Sequence, residues 1–210
     1  DILHDAGLPV PYALRTDSNE ALRSLAGKPA LLQPRLSGKH VRDVNAQHCH
    51  AVGELLARIH LATRDHPLQR KSDRGLEWML REGKVLATHQ TPDATQLLND
   101  TLAEIAALQE QVRKLPRANL HADLFRDNCM FEGTHLSGVI DFYNACSGPM
   151  LYDLAITVND WCSDEGGHLM KAVHARCWAP TPPCVRSLPR KPNSGQPCCV
   201  SPACVSGCRA

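Results

Sequence analysis

The stretch NLHADLFRDN, from Asn119 to Asn128, packs a histidine, two aspartates and an amide into ten residues after an apolar turn. His121, Asp123 and Asn128 follow the pattern His-x-Asp-x-x-x-x-Asn, and Ile140-Asp141-Phe142 closes an apolar segment shortly afterwards. Transfer of a phosphoryl group to an alcohol needs an acceptor for the hydroxyl proton and ligands for the magnesium that neutralises the phosphates. Asp123 on a rigid loop suits the first role. Asn128 and Asp141 suit the second, because Mg²⁺ prefers oxygen ligands and the amide adds no negative charge beside the phosphates. The competing reading is structural: Asp and Asn in a polar loop also cap backbone amides. His121 is expected to brace the loop through hydrogen bonds rather than carry protons, and Arg126 with Asp127 could form a solvated pair.

These residues need elements to hold them. The opening DILHDAGLPVPYALRT reads as a helix ending at Gly7 followed by extended chain. EALRSLAGKPALLQPRLSG suggests two paired strands about a Gly27-Lys28-Pro29 turn, then a connector from Gln33 to Gly38. Val52, Leu55, Leu56 and Ile59 recur at helical spacing behind Asn45, a suitable cap, so a helix is expected to about Thr63. A weaker helix follows over Leu76 to Leu86. Thr91-Pro92 then starts a long helix whose expected buried stripe is Leu97, Leu98, Leu102, Ile105 and Leu108, closed by Pro116. ANLHA, CMFEG and LSGVIDFYNA read as strands around the polar loop and a turn, and Leu151 to Cys162 as a further amphipathic helix. This order predicts an α+β lobe rather than a doubly wound sheet.

With 23 basic and 22 acidic residues among 210, charge gives no reason to expect nucleic acid or an anionic membrane as partner. No apolar run is long enough to span a bilayer and the start has no signal-like pattern, so a cytoplasmic protein is expected. Cys49, Cys129, Cys146 and Cys162 stand singly in apolar patterns and are expected to be buried free thiols. The other six of the ten cysteines lie from Cys177 onward, in a stretch rich in proline and free of acids. Their spacing repeats no CxxC and no histidine lies among Cys198, Cys199, Cys204 and Cys208, which argues against a metal knuckle.

The stretch from Leu115 to Cys162, LPRANLHADLFRDNCMFEGTHLSGVIDFYNACSGPMLYDLAITVNDWC, resembles the catalytic heart of aminoglycoside-phosphotransferase-like kinases, most closely the bacterial homoserine kinases of that fold. The similarity extends from Asp1 to about Arg176. It implies a protein-kinase-like fold, and ATP-dependent, Mg²⁺-assisted phosphorylation of the L-homoserine hydroxyl on the route to threonine. By that resemblance Asp123 is the catalytic base, with His121 beside it in the catalytic set, and Asn128 and Asp141 hold magnesium. Gln33, Pro34, Arg35 and Leu36 are the connector whose backbone meets adenine, and Asp153 supports the loop. Arg126, Asp127, Asn144 and Asp160 are available for the acceptor's carboxylate and ammonium. Trp161 is expected in the core.

Against that pattern, the chain lacks a glycine-rich phosphate loop and a strand lysine, since Lys28 and Lys39 are expected in turns. The expected organisation is a remnant of the N-terminal lobe and hinge over 1–36, a catalytic lobe over 37–176, and an irregular, disordered tail over 177–210. The tail is expected to derive from a shifted reading frame: read one base earlier, permitted codons from Pro197 onward can encode a helix-forming run. Negligible homoserine kinase activity is therefore expected of the isolated chain. The alternatives are another kinase of this fold, acting on an aminoglycoside, choline or a sugar, and a binding module without activity. The GHMP type of homoserine kinase is disfavoured because no glycine- and serine-rich phosphate loop occurs.

Overall fold

The computed structural model describes residues 1–164, 166 and 168–170. The tail over 177–210, with its expected disorder, frame shift and cysteines, lies outside the described residues.

Helix α1 (Ile2–Asp5) ends as its glycine predicts. Gly7 has φ +72°, its N–H donates to the His4 carbonyl at 2.8 Å, and the Leu8 N–H reaches back to Leu3 at 3.0 Å. This pair of bonds satisfies carbonyls that a helix end otherwise orphans, and the turn drops Leu8 into the core. Strands β1 (Leu22–Leu25) and β2 (Lys28–Leu31) form an antiparallel hairpin. Its turn is Ala26-Gly27, both at positive φ, as a two-residue hairpin turn requires. Lys28 and Pro29 therefore belong to β2 and not to the turn, and a proline is tolerated there because a two-stranded sheet is all edge.

Helix α2 (Ala46–Ala62) begins at the expected cap. Asn45 Oδ1 accepts from the Gln47 and His48 amides at 2.9 and 3.1 Å, while His48 Nδ1 accepts from the Asn45 amide at 3.1 Å. Since Nδ1 is an acceptor, the ring proton sits on Nε2, which donates to the Gly133 carbonyl at 3.1 Å. Helices α3 (Leu76–Ala87) and α4 (Pro92–Arg113) pack against each other where Gly83 meets Leu102; a Cβ there would lie 2.6 Å from Leu102 Cδ2. The stripe expected on α4 is narrower than its sequence suggests. Leu102 and Ile105 are buried, but Leu97 and Leu108 are 65% and 43% exposed, because among the helices α4 has α3 as its neighbour.

Strand β3 (Arg117–Leu120) pairs antiparallel with β6 (Cys146–Pro149), and β4 (Cys129–Glu132) with β5 (His135–Val139). Lys39, expected in a turn, bridges Phe131 of β4 by two backbone bonds of 2.9 and 2.8 Å. Helix α5 (Met150–Trp161) follows β6 directly. The core joins Val52, Leu56 and Ile59 of α2, Phe131 and Val139 of the second hairpin, and Leu154, Val158 and Trp161 of α5. Leu8 and Val10, from the segment expected to be a remnant of the N-terminal lobe, pack into this same core. The architecture is α+β, as expected.

Candidate active site

Helix α5 is the frame of the His121–Asn128 loop. Asp153 is fully buried, and its carboxylate accepts from the His121 amide at 3.0 Å, the Ala122 amide at 2.8 Å and His60 Nε2 at 3.0 Å. These bonds hold Ala122 at φ +63°, a left-handed conformation that alanine adopts only when its surroundings impose it. Asp160 lies two helical turns further on, and its Oδ2 accepts from the Arg126 amide at 2.7 Å. Trp161, buried in the core as expected, donates its indole N–H to the Leu124 carbonyl at 3.0 Å. Three side chains of one helix therefore grip the start, middle and end of the loop.

Within the loop the sequence-predicted residues meet. Asn128 Nδ2 donates to the Asp123 carbonyl at 2.7 Å and stands 3.4 Å from Asp123 Oδ2. Both partners on Asp123 are acceptors, so the amide nitrogen must face them. Asn128 is left with its oxygen Oδ1 as the atom able to ligate a cation. Asp123 is half-buried and Asn128 buried.

Asp141 is placed through its neighbour. The Ile140 N–H donates to the Asn128 carbonyl at 3.0 Å, and the Ile140 carbonyl accepts from His121 Nε2 at 3.0 Å. The peptide groups before Asp141 are thus clamped between two residues of the loop. Asp141 then turns the chain at φ +64°, and its Oδ1 lies 3.4 Å from the Tyr143 amide at the start of a short 3-10 turn. The fully buried His121 ring, 4.6 Å from Phe142, sits under this turn, with its Nδ1 making no hydrogen bond among the described residues. Its contacts are those of a brace.

Gln33 to Leu36 run from β2 toward Gly38, where the chain crosses the second hairpin; Ser137 Oγ donates to the Ser37 carbonyl at 2.8 Å, and Leu36 packs on Gly138. Among the described residues no hydrogen bond occupies the backbone of Gln33, Pro34, Arg35 or Leu36. Arg126 pairs with α5 and not with Asp127. Its guanidinium donates to the carbonyls of Asp160 and, at 3.1 Å, Ser163, at a helix C-terminus that favours a cation. Arg126 and Asp160, both considered for the acceptor's charges, are spent on each other and on the loop. The four described cysteines are buried and form no disulfide. Burial pushes the Cys129 thiol far above its ordinary range, with the charges of Asp160 and Asp127 adding to the effect.

Sequence reasoning missed His60 and Arg70. His60 is a histidine on the buried face of α2, which is a signal of a sort, but its partner Asp153 is 93 residues away. Arg70 stood in a polar connector, yet its guanidinium donates to the Tyr143 carbonyl beside Asp141.

No cluster of three or more His, Cys, Asp or Glu side chains suited to a metal occurs among the described residues. An amide oxygen and a carboxylate, the groups that Asn128 and Asp141 offer, are nevertheless hard donors of the kind Mg²⁺ uses, since that ion takes one or two protein ligands and completes its shell with water and phosphates. No helix among the described residues is long and apolar enough to cross a membrane.

The model of the phosphotransferase enzyme family called APH matches residues 1–187. A homoserine kinase of Pseudomonas aeruginosa is 64% identical over 169 residues, which are 80% of this chain and 54% of that protein. The chain thus spans about half the length of the curated relatives it matches. Two solved structures that share the fold are an amicoumacin kinase in complex with AMP-PNP, Ca²⁺ and Ami, and a choline/ethanolamine kinase family protein from Mesorhizobium loti. The first has a TM-score of 0.55 at 19% identity, covering 76% of this chain and 50% of that one. The second has a TM-score of 0.58 at 16% identity, covering 84% and 56%. The protein-kinase-like fold expected from the sequence is therefore the fold of this chain, and the chain belongs to the phosphotransferase enzyme family.

Proposed function

We propose that this chain carries the catalytic loop and cation site of a homoserine kinase, which transfers the γ-phosphoryl group of ATP to the hydroxyl of L-homoserine. The observation that carries the reading is the contact of Asn128 Nδ2 with Asp123, which joins the two side chains and leaves the amide oxygen to ligate a cation. The relative at 64% identity supports the choice of acceptor.

In this reading Asp123 takes the proton of the substrate hydroxyl as that oxygen bonds to the γ-phosphorus and the bond from phosphorus to the β–γ bridging oxygen breaks. The proton ends on Asp123 and ADP leaves. Asn128 Oδ1 and the Asp141 carboxylate hold Mg²⁺, which when bound neutralises phosphate charge. His121 and Asp153 keep the loop in place so that Asp123 spends nothing on reorganisation. The backbone of Gln33, Pro34, Arg35 and Leu36 receives adenine. A cytoplasmic location belongs to this reading, and four buried cysteines that form no disulfide suit a reducing compartment.

Calorimetry on the chain tests the nucleotide half: binding of ATP that requires Mg²⁺ and weakens about tenfold or more in Asn128→Ala or Asp141→Ala. The acceptor half is tested by replacing the matched 169 residues of the Pseudomonas relative with those of this chain. ADP release driven by L-homoserine, and reduced about 10²–10⁴-fold by Asp123→Asn, is the expected result. Turnover that prefers choline or an aminoglycoside, or that survives Asp123→Asn, contradicts the proposal.

A further inference from the structure

Between Gln69 and Gly75 the connector from α2 to α3 carries Arg70, Lys71 and Arg74 against the single acid Asp73. Such a run is ordinarily a solvated loop. Here it is fastened along its length. The Leu68 amide donates to Asn119 Oδ1 at 2.8 Å, and Asn119 Nδ2 donates to the His66 carbonyl at 2.8 Å. The Ser147 amide donates to the Arg70 carbonyl at 2.8 Å, Lys71 bridges Ser147, and the Tyr152 hydroxyl donates to the Arg74 carbonyl at 3.3 Å. The loop is therefore bound to both β3 and β6, near the end where Leu120 and Cys146 pair and from which the His121 loop departs.

That fastening sets the Arg70 guanidinium beside the Asp141 turn. One terminal nitrogen donates to the Tyr143 carbonyl, the guanidinium carbon lies 5.6 Å from the centre of the Tyr143 ring, and the other terminal nitrogen donates to Asp73 Oδ2 at 2.5 Å. Tyr143 itself is 78% exposed. An arginine has five N–H donors in a planar fork suited to a carboxylate, so two bonds leave capacity for a second acceptor. The carboxylate now on the fork, Asp73, comes from a side chain that is 75% exposed and three residues away, which an incoming carboxylate can replace without disturbing buried structure.

We propose that Arg70 receives the carboxylate of the acceptor amino acid, exchanging Asp73 for it, and so favours a carboxylate-bearing alcohol over a neutral one. The inference rests on the homoserine reading above. Arg126, the other arginine considered for this charge, is engaged with α5, whereas Arg70 stands two residues' reach from Asp141 through Tyr143 and faces solvent. Arg70 is a specificity residue in this scheme and takes no part in proton transfer.

The test uses the full chain with Mg²⁺ and AMP-PNP present, titrated with L-homoserine or with L-homoserinamide, in which an amide replaces the carboxylate, and followed by NMR. Arg70→Ala is expected to weaken homoserine about tenfold, the size of one charge-assisted bidentate contact, and to leave homoserinamide unchanged. Arg70→Lys should fall between. Asp73→Asn should tighten homoserine, because the competing carboxylate is gone. Circular dichroism checks that each variant folds. Equal loss for the two ligands, no loss for homoserine, or weaker homoserine binding in Asp73→Asn would each overturn the inference while leaving the homoserine reading intact. A loss confined to AMP-PNP affinity would assign Arg70 to nucleotide phosphate instead. Absence of homoserine binding by the parent chain contradicts both this inference and the choice of acceptor.

Discussion

The β1–β2 hairpin and the His121–Asn128 loop use similar numbers of residues and reach opposite solutions. The hairpin is held by its own ladder and turn, and buries none of its strand residues; Leu22, Leu25 and Leu31 are 61%, 71% and 52% exposed. The loop has almost no regular structure of its own, yet three side chains of α5, one of them backed by His60 of α2, and the Ile140 peptide group hold it. Regular backbone hydrogen bonding does not make a segment rigid in its fold; burial and satisfied polar contacts do. The loop can carry a left-handed Ala122, and the chain after β5 a left-handed Asp141, because α5 and the second hairpin over-determine them.

This contrast is open to attack at its strong end first. Asp153→Ala orphans two buried amides and the His60 imidazole, and is expected to cost about 3–5 kcal/mol in urea unfolding, comparable with breaking a buried ion pair. A cost below 1 kcal/mol would mean that α5 does not hold the loop. The buried thiols give a second handle. A raised folded pKa leaves Cys129 protonated where the unfolded thiol ionises, so its contribution is complete below the unfolded value, about 8.5, and is lost as pH rises above it. Cys146 is shifted the same way by burial first, with Asp153 adding to it. Stability is expected to fall by roughly 2 kcal/mol through Cys129 between pH 8.5 and 10, and further in the same direction through Cys146, measured by denaturant unfolding across that range. The smaller Asn45→Ala change removes a cap from α2 and should cost about 1 kcal/mol. Leu25→Lys, at the exposed end of β1, should change stability by less than about 0.5 kcal/mol. A large loss there would show that the hairpin is packed after all.

Much of the site was legible because it is written locally. The spacing of His121, Asp123 and Asn128, the apolar run ending at Asp141 and the cap at Asn45 each follow from a short window of sequence, whereas the supporting place of Asp153 comes from the family resemblance. The order of helices and strands follows from periodicity in the same way. What escaped is long-range. The pairing of His60 with Asp153, of Arg126 with Asp160, and of Arg70 with Tyr143 joins residues 34 to 93 positions apart, and no local pattern marks one partner for the other. The α4 stripe misled for a related reason. Leu97 and Leu108 have helical spacing, but burial depends on which neighbour covers a face, and periodicity does not say how wide that neighbour is.

The central claim is that Asn128 and Asp141 hold one cation beside the Asp123 carboxylate. Manganese in place of magnesium, bound with AMP-PNP to isotope-labelled chain, tests it by paramagnetic broadening of the NMR signals. The account predicts that the signals of Asp123, Asn128 and Asp141 broaden first and that those of Leu22 and Leu25 stay sharp. Broadening centred elsewhere, or spread evenly over the exposed acids, would contradict it.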